Sequence, residues 1–154
     1  MKGKAYELFV YFDRFVKREL RLAVKDATEA VAERSREKHS YHTKKGLLER
    51  EGTQTRYEEE GYAGIIFLNT DIPYALPVHE GSKPHEIRPK NKQALRWATS
   101  NGTDFWFAKR VQHPGYAGDP FIYNAFDEMQ VEIRDIFDYR IERAIKEAEN
   151  AINS

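Results

Sequence analysis

The chain has 154 residues, of which 40% are hydrophobic and 32% are charged, and its 25 Lys and Arg residues equal its 25 Asp and Glu residues. A single domain of this length buries about two-thirds of the surface of its unfolded chain. The net charge of zero argues against a strongly basic nucleic-acid binder, and the absence of Cys excludes disulfides, thiol nucleophiles and thiolate metal sites. No segment is apolar enough to span a membrane, so no membrane partner is predicted.

Residues 5 to about 38 are predicted to form a long amphipathic helix, because apolar residues recur there at steps of three and four. Its aromatic start, Tyr6 to Phe12, could instead be extended. The helix carries a basic row, which consists of Arg14, Lys17, Arg18, Arg21 and Lys25. The basic row is either a face toward DNA or an acidic partner, or an ordinary solvated face. The interleaved acids favour the solvated face.

Residues 52 to about 111 are predicted to form short antiparallel strands and loops. Glu60-Gly61 and Asn101-Gly102 are typical of hairpin turns, because Gly and Asn tolerate positive φ. Ile72 to Glu80 contains two prolines, which predicts a loop or at most a short helical turn. Phe105 to Val111 is predicted to be one strand. It has aromatic residues on both faces near the turn, so we expect both faces to be covered there.

A second long helix is predicted from residue 120 to about 150. Asp119 is expected to cap its free amide groups, with Pro120 in the first helical position. Phe121 and Phe126 are expected to anchor it in the core. A small sheet cannot cover its whole apolar seam, so either the first helix or another subunit is expected to do so. The order of elements predicts a single α+β domain over residues 1–154, with two long helices on one face of a small antiparallel sheet.

The segment before this helix is either an active-site loop or a rigid elbow. No nucleophile, paired base or phosphate-binding sequence accompanies its histidine, so the elbow is favoured. The junction residues are His113, Pro114, Gly115, Asp119, Pro120 and Phe121.

A metal site is the sharpest chemical alternative. His79 and His85 could hold zinc or manganese with the neighbouring Glu80 and Glu86. Gly and Pro interrupt the segment between the two histidines, and their spacing matches no metal motif, so a surface loop is favoured. No catalytic residue, metal or cofactor is predicted, and the sequence favours a protein that is not an enzyme.

Several short motifs after residue 73 form an ordered set: Tyr74-Ala75, His79-Glu80-Gly81-Ser82, Ile87-Arg88-Pro89-Lys90, Lys92 to Trp97, Val111 to Gly115, and Asp119-Pro120-Phe121 with Ala125. This set resembles the motifs of neck and tail-completion proteins of long-tailed bacteriophages, which are tail-component proteins related to minor tail protein Z. Upstream, the family's Pro-x-x-Thr-Gly-x-Leu loop corresponds to His42 to Leu47. That stretch lacks Pro and has two residues between Thr43 and Gly46.

The resemblance implies a structural virion protein that forms a hexameric or larger ring where the DNA-filled head meets the tail. It implies phage connector and tail proteins as partners, and contact with DNA that passes through the channel. The implied location is the virion neck, and the cytoplasm of the bacterial host during assembly. Two alternatives stay open. One is a nucleic-acid-binding module that uses the basic row with Tyr41, His42, Lys44 and Lys45; the other is a metal-dependent hydrolase around His79 and His85.

Overall fold

A computed structural model describes residues 4–41, 46–58 and 60–153 of the chain. Long helices lie near both ends, and short antiparallel strands lie between them, so the predicted α+β class is confirmed. In chain order the elements are α1 (Lys4–Glu37), α2 (Leu47–Glu51), β1 (Thr53–Tyr57), β2 (Gly64–Leu68), α3 (Ala75–Glu80), β3 (His85–Ile87), β4 (Leu95–Ala98), β5 (Phe105–Ala108), β6 (Val111–His113), α4 (Phe121–Glu128) and α5 (Gln130–Asn153).

Helices α1 and α5 pack against each other along most of α5. They run antiparallel: Arg18 of α1 bonds Glu147 of α5 near one end of the pair, and Lys38, just after α1, bonds Glu128, just before α5, near the other. Both helices carry small buried side chains, which allow helix backbones to approach closely: Ala23 and Ala27 on α1, and Ala144 and Ala148 on α5. α1 is helical from Lys4 onward, so Tyr6 to Phe12 is not extended.

A charge network crosses the α1–α5 contact. The side chain of Glu19 is fully buried, and it accepts hydrogen bonds from Arg18 at 2.8 Å and from Arg140 at 3.2 Å. Arg140 also donates to Asp26 on α1. A buried carboxylate without such partners would strongly destabilise the fold, so the network holds the two helices in one register.

The second long helix is interrupted, and the predicted continuous helix is in this respect wrong. α4 ends at Glu128 and α5 begins at Gln130, with Met129 between them at φ −93° and ψ 14°. The backbone hydrogen bonds continue through the interruption, since the Met129 amide donates to Ala125 at 3.1 Å and the Ile133 amide donates to Met129 at 2.8 Å. Met129 and Ala125 both pack with Val31 of α1 in one buried cluster.

The strands form three separate two-stranded ladders, and not one sheet. β1 pairs with β2 and β4 pairs with β5, as the two hairpin turns predict. The predicted strand from Phe105 to Val111 is two strands with different partners, because the chain leaves the hairpin after Ala108 and β6 pairs with β3. An isolated two-stranded hairpin is at best marginally stable in water.

A second buried cluster surrounds Phe121 at the start of α4. Phe121 is fully buried and packs with residues from the loop after α1, from α2 and from the segment before β3: Tyr41, Leu48, Ile72 and Ala75. The predicted anchoring role of Phe121 is therefore confirmed. The same prediction for Phe126 is wrong, because Phe126 is 51% exposed. Among the described residues, no helix is long and apolar enough to cross a lipid bilayer.

Candidate functional site

The junction before α4 is held in place by residues that are distant in the sequence. Asp119 is buried, and its carboxylate accepts hydrogen bonds from the backbone amide and the hydroxyl of Ser40 and from the backbone amide of Tyr41. It makes no side-chain cap to α4, whose N-cap is Pro120, so the predicted capping role is wrong. The physical reason is that the loop after α1 offers two amides and a hydroxyl to the same oxygen. The carboxylate thus joins the end of α1 to the start of α4.

The junction also packs against the chain after α3 through its backbone. Ser82 and Tyr116 exchange two backbone hydrogen bonds of 2.8 Å each. A Cβ atom on Gly118 would lie 2.6 Å from the amide nitrogen of Gly81, a distance that no side chain tolerates. His113 accepts a hydrogen bond through Nδ1 from the Gly115 amide at 3.1 Å. These contacts fit a rigid elbow.

The two candidate metal ligands have separate surroundings. His79 is buried on α3, where its ring meets the edges of Phe121 and Tyr123 at centroid distances of 4.9 and 5.0 Å and its Nδ1 donates to Glu80. His85 is exposed on β3 and stacks on His113, its partner across the ladder. Within residues 4–41, 46–58 and 60–153, no group of three or more His, Asp or Glu residues is placed to hold a metal ion.

Two of the five residues of the basic row on α1 form ion pairs. Lys17 pairs with Asp13 at 2.8 Å, and that hydrogen bond raises the pKa of Lys17. Arg18 bonds Glu19 and Glu147, and the guanidinium of Arg21 lies 5.1 Å from the centre of the Tyr62 ring. The remaining two members, Arg14 and Lys25, are exposed.

The structure gives little support to the nucleic-acid alternative that uses Tyr41, His42, Lys44 and Lys45. Tyr41 is buried, and burial raises the pKa of its phenol. Its ring stacks on His39 and meets the edge of Phe121, so it belongs to the core and not to a binding surface. His42, Lys44 and Lys45 lie outside the described residues.

An open apolar groove lies where α1, β2, α4 and α5 meet. It encloses about 380 Å³ and is lined mostly by aliphatic and aromatic side chains: Val24, Ala27, Thr28, Val31, Tyr62, Gly64, Ile66, Ile122, Tyr123, Phe126, Ile133 and Phe137. One wall of the groove is formed where β2 packs very close to α1. A Cβ atom on Gly64 would lie 1.9 Å from the hydroxyl oxygen of Thr28. Phe126 is exposed because it points into this groove.

The hairpin of β4 and β5, residues 95–108, presents four exposed aromatic side chains and is called here the aromatic hairpin. Trp97 and Trp106 pair across the ladder on one face, and Phe105 and Phe107 lie on the other. Trp106 is 61% and Phe107 is 66% exposed, and no helix or other strand of the described chain packs extensively on the hairpin. The expectation that this strand is covered on both faces is therefore wrong for the isolated chain.

A third apolar surface lies on the first turns of α1. Arg18 lies opposite Glu147, and α5 is described as far as Asn153, six residues further on. Residues 4 to 11 of α1 therefore extend past α5 by about 12 Å at 1.5 Å per residue. The side chains exposed on these turns include Tyr6, Phe9 and Val10.

No family model matches the chain, and the comparisons with curated proteins and with solved structures give no match either. The phage resemblance therefore stays a prediction from motifs. The sequence indicated the elbow, but it did not point to the aromatic hairpin or the groove as surfaces. The sequence signal for the hairpin was the large aromatic residues on both faces of β5.

Proposed function

We propose that this protein is a structural subunit of a long-tailed phage or prophage, which assembles as a ring at the head–tail junction in neck formation or tail completion, and is not an enzyme. The observation that carries the proposal is the apolar surface that a single copy leaves open. The aromatic hairpin, the groove and the first turns of α1 are all uncovered. Large exposed apolar patches on a soluble domain mark sites of association.

The placement of the motif residues supports the same function. Gly81 and Asp119 belong to the motif set, and each makes a close backbone approach or a hydrogen bond at the junction before α4. Phe121 fills the core behind them. Motif residues with such structural roles are consistent with a structural subunit.

In this proposal the partners are further copies of the chain, in a hexameric or larger ring, and the connector and tail proteins on either side. DNA passes through the channel, and the exposed Arg14 and Lys25 of the basic row are its contacts on α1. The location is the virion neck, and the host cytoplasm before assembly.

Two measurements test the proposal together. The mass of the purified protein should rise with concentration, and negative-stain electron microscopy should show rings. Mass spectrometry of purified tailed particles should detect the chain, with immunogold label at the head–tail junction. A protein that is strictly monomeric in solution and also absent from particles would rule the proposal out.

Nucleic-acid binding is the second candidate, and one observation favours it. Lys83 to His113 holds seven Lys or Arg residues and two acidic residues, so its net charge is +5. Because the whole chain is neutral, the remainder carries −5. This site is the aromatic hairpin and its flanks, and not the basic row on α1. Titration of labelled single-stranded DNA should then give an affinity that falls steeply with salt, and flat titrations at low salt would remove the candidate.

A further inference from the structure

Two surfaces of this chain are both apolar, and both are exposed to solvent. The aromatic hairpin presents two Trp and two Phe side chains, and the apolar groove presents a cleft lined by aliphatic and aromatic residues. We infer that the aromatic hairpin of one copy docks in the apolar groove of a second copy. The contact presupposes the assembly function proposed above and identifies the two surfaces that meet.

The charges around the two surfaces are opposite. The segment that contains the hairpin, Lys83 to His113, has a net charge of +5. Residues 121–153, which form α4 and α5 and line one side of the groove, hold eight acidic and four basic residues, a net charge of −4. Complementary charge of this kind orients two copies hairpin to groove, and like charge disfavours contact between two hairpins.

The volume of the groove and the residue types of the hairpin also fit the proposed contact. A cleft of about 380 Å³ is at the small end of ligand-sized clefts, so it suits aromatic side chains and not a further helix. Trp, Tyr and Arg dominate the binding energy of protein interfaces, mostly within apolar pockets. The hairpin holds both tryptophans of the chain, and the guanidinium of Arg96 lies 3.6 Å from the centre of the Phe105 ring, which orders that face before contact.

The geometry makes the contact head to tail. Hairpin residues do not line the groove of their own copy, so each copy offers one free hairpin and one free groove. A contact between two different surfaces repeats from copy to copy, and it closes into a ring when the rotation between copies permits. Single-stranded nucleic acid would also suit a basic aromatic hairpin, but the acidic remainder of the chain repels a polyanion, and nucleic acid would leave the groove empty.

Tryptophan fluorescence reports on the proposed contact directly, because Trp97 and Trp106 are the only two tryptophans of the chain and both lie in the hairpin. The emission of the wild-type protein should shift to the blue as concentration and mass rise together. Phe126→Lys places a positive charge in the groove, and Trp106→Ala removes the most exposed tryptophan. Each should weaken association at least about tenfold, as for a buried interface anchor. Far-UV circular dichroism checks that both variants are folded.

Two matched variants control for loss of exposed apolar surface in general. Val131→Lys adds the same charge at a residue of α5 that is 64% exposed and does not line the groove. Tyr139→Ala removes an aromatic ring that is 58% exposed elsewhere on α5. Both controls should associate like the wild-type protein.

A mixing experiment separates this contact from other modes of assembly. A mixture of Trp106→Ala and Phe126→Lys contains one intact pair of surfaces: the groove of the first variant and the hairpin of the second. At concentrations where each variant alone is monomeric, the mixture should form one-to-one dimers that grow no further.

Three outcomes would overturn the inference. If both variants assemble like the wild-type protein, the interface lies elsewhere, and the ring function still stands. If the wild-type protein is monomeric at every concentration, the self-contact is wrong, and the detection of the chain in purified particles decides the function separately. If the hairpin binds labelled single-stranded DNA or anionic vesicles, and Trp106→Ala abolishes that binding without any self-association, the hairpin serves a different partner.

Discussion

The hydroxyl of Ser40 donates a hydrogen bond of 2.9 Å to the carboxylate of Asp119, although the two residues are 79 positions apart in the chain. The same carboxylate oxygen accepts from the backbone amides of Ser40 and Tyr41. One side chain therefore closes the loop after α1 and fixes where α4 begins.

Asp119→Ala should lower the free energy of unfolding by about 1–3 kcal/mol, because the backbone amides of Ser40 and of the buried Tyr41 lose a charged acceptor. Urea denaturation measures the loss, and hydrogen exchange should accelerate at the amides of Ser40 and Tyr41. Ser40→Ala removes the hydroxyl contact alone and should cost about 0.5–1.5 kcal/mol. Unchanged exchange at both amides in Asp119→Ala would contradict the role given to this carboxylate.

Phe121→Ala should destabilise the protein by about 3–5 kcal/mol, since it removes a fully buried ring from the centre of a core cluster. Phe126→Ala is the matched control on the same helix. Phe126 is half exposed in the groove, so its loss should change stability by only about 0.5 kcal/mol. Equal thermal midpoints for the two variants would show that the core is not organised around Phe121.

Gly64→Ala should destabilise by about 1–3 kcal/mol, because the added methyl group overlaps the side chain of Thr28 and pushes β2 away from α1. Thr28→Ala removes the overlapping hydroxyl and methyl groups, so the double variant should recover part of that loss. A double-mutant cycle measures the coupling between the two sites. Strict additivity would mean that the close approach of β2 to α1 does not occur in solution.

Glu29 gives a pH dependence whose sign follows from its pKa. The hydroxyl of Tyr57 donates to the Glu29 carboxylate, and this bond, helped by Thr55, holds the pKa of Glu29 below its usual 4.5. The folded state therefore gains stability from the ionised carboxylate above about pH 4.5, and that gain is lost as pH falls through the lowered pKa.

The comparison of wild type with Glu29→Gln tests this linkage. The wild-type protein should have the higher Tm at neutral pH, and the difference should shrink as the pH falls below about 4. Glu33→Gln, at an exposed position one turn along α1, is the control and should give a smaller difference. A Tm difference between wild type and Glu29→Gln that grows as the pH falls would contradict the lowered pKa of Glu29.

The features that could be predicted from the sequence are those with a local cause. The two long helices follow from apolar periodicity, and the hairpin turns follow from Gly61 and Gly102, both of which have positive φ. The partner of β6 could not be predicted, because pairing with β3 depends on the tertiary path of the chain between them. The interruption at Met129 has no signal in the sequence, since Met is a good helix former.

Asp119 was misjudged because a local rule was overridden by a partner that is distant in the sequence. Asp119 before Pro120 has the pattern of a helix cap, yet the loop after α1 supplies better donors. The aromatic residues of β5 suggested a strand covered on both faces, yet Trp106 and Phe107 are exposed, because aromatic content alone does not determine where a face packs.

The antiparallel pairing of α1 with α5 has a consequence for how the protein is made. α1 ends at Glu37 and α5 begins at Gln130, so α1 leaves the ribosome well before its main packing partner has been translated. Until then the face of α1 that packs on α5 is uncovered, and the carboxylate of Glu19 lacks its partner Arg140. Translation that stops before α5 therefore yields a product with exposed apolar surface, which is a substrate for chaperones and proteases. Only chains that carry α5 can form the complete groove.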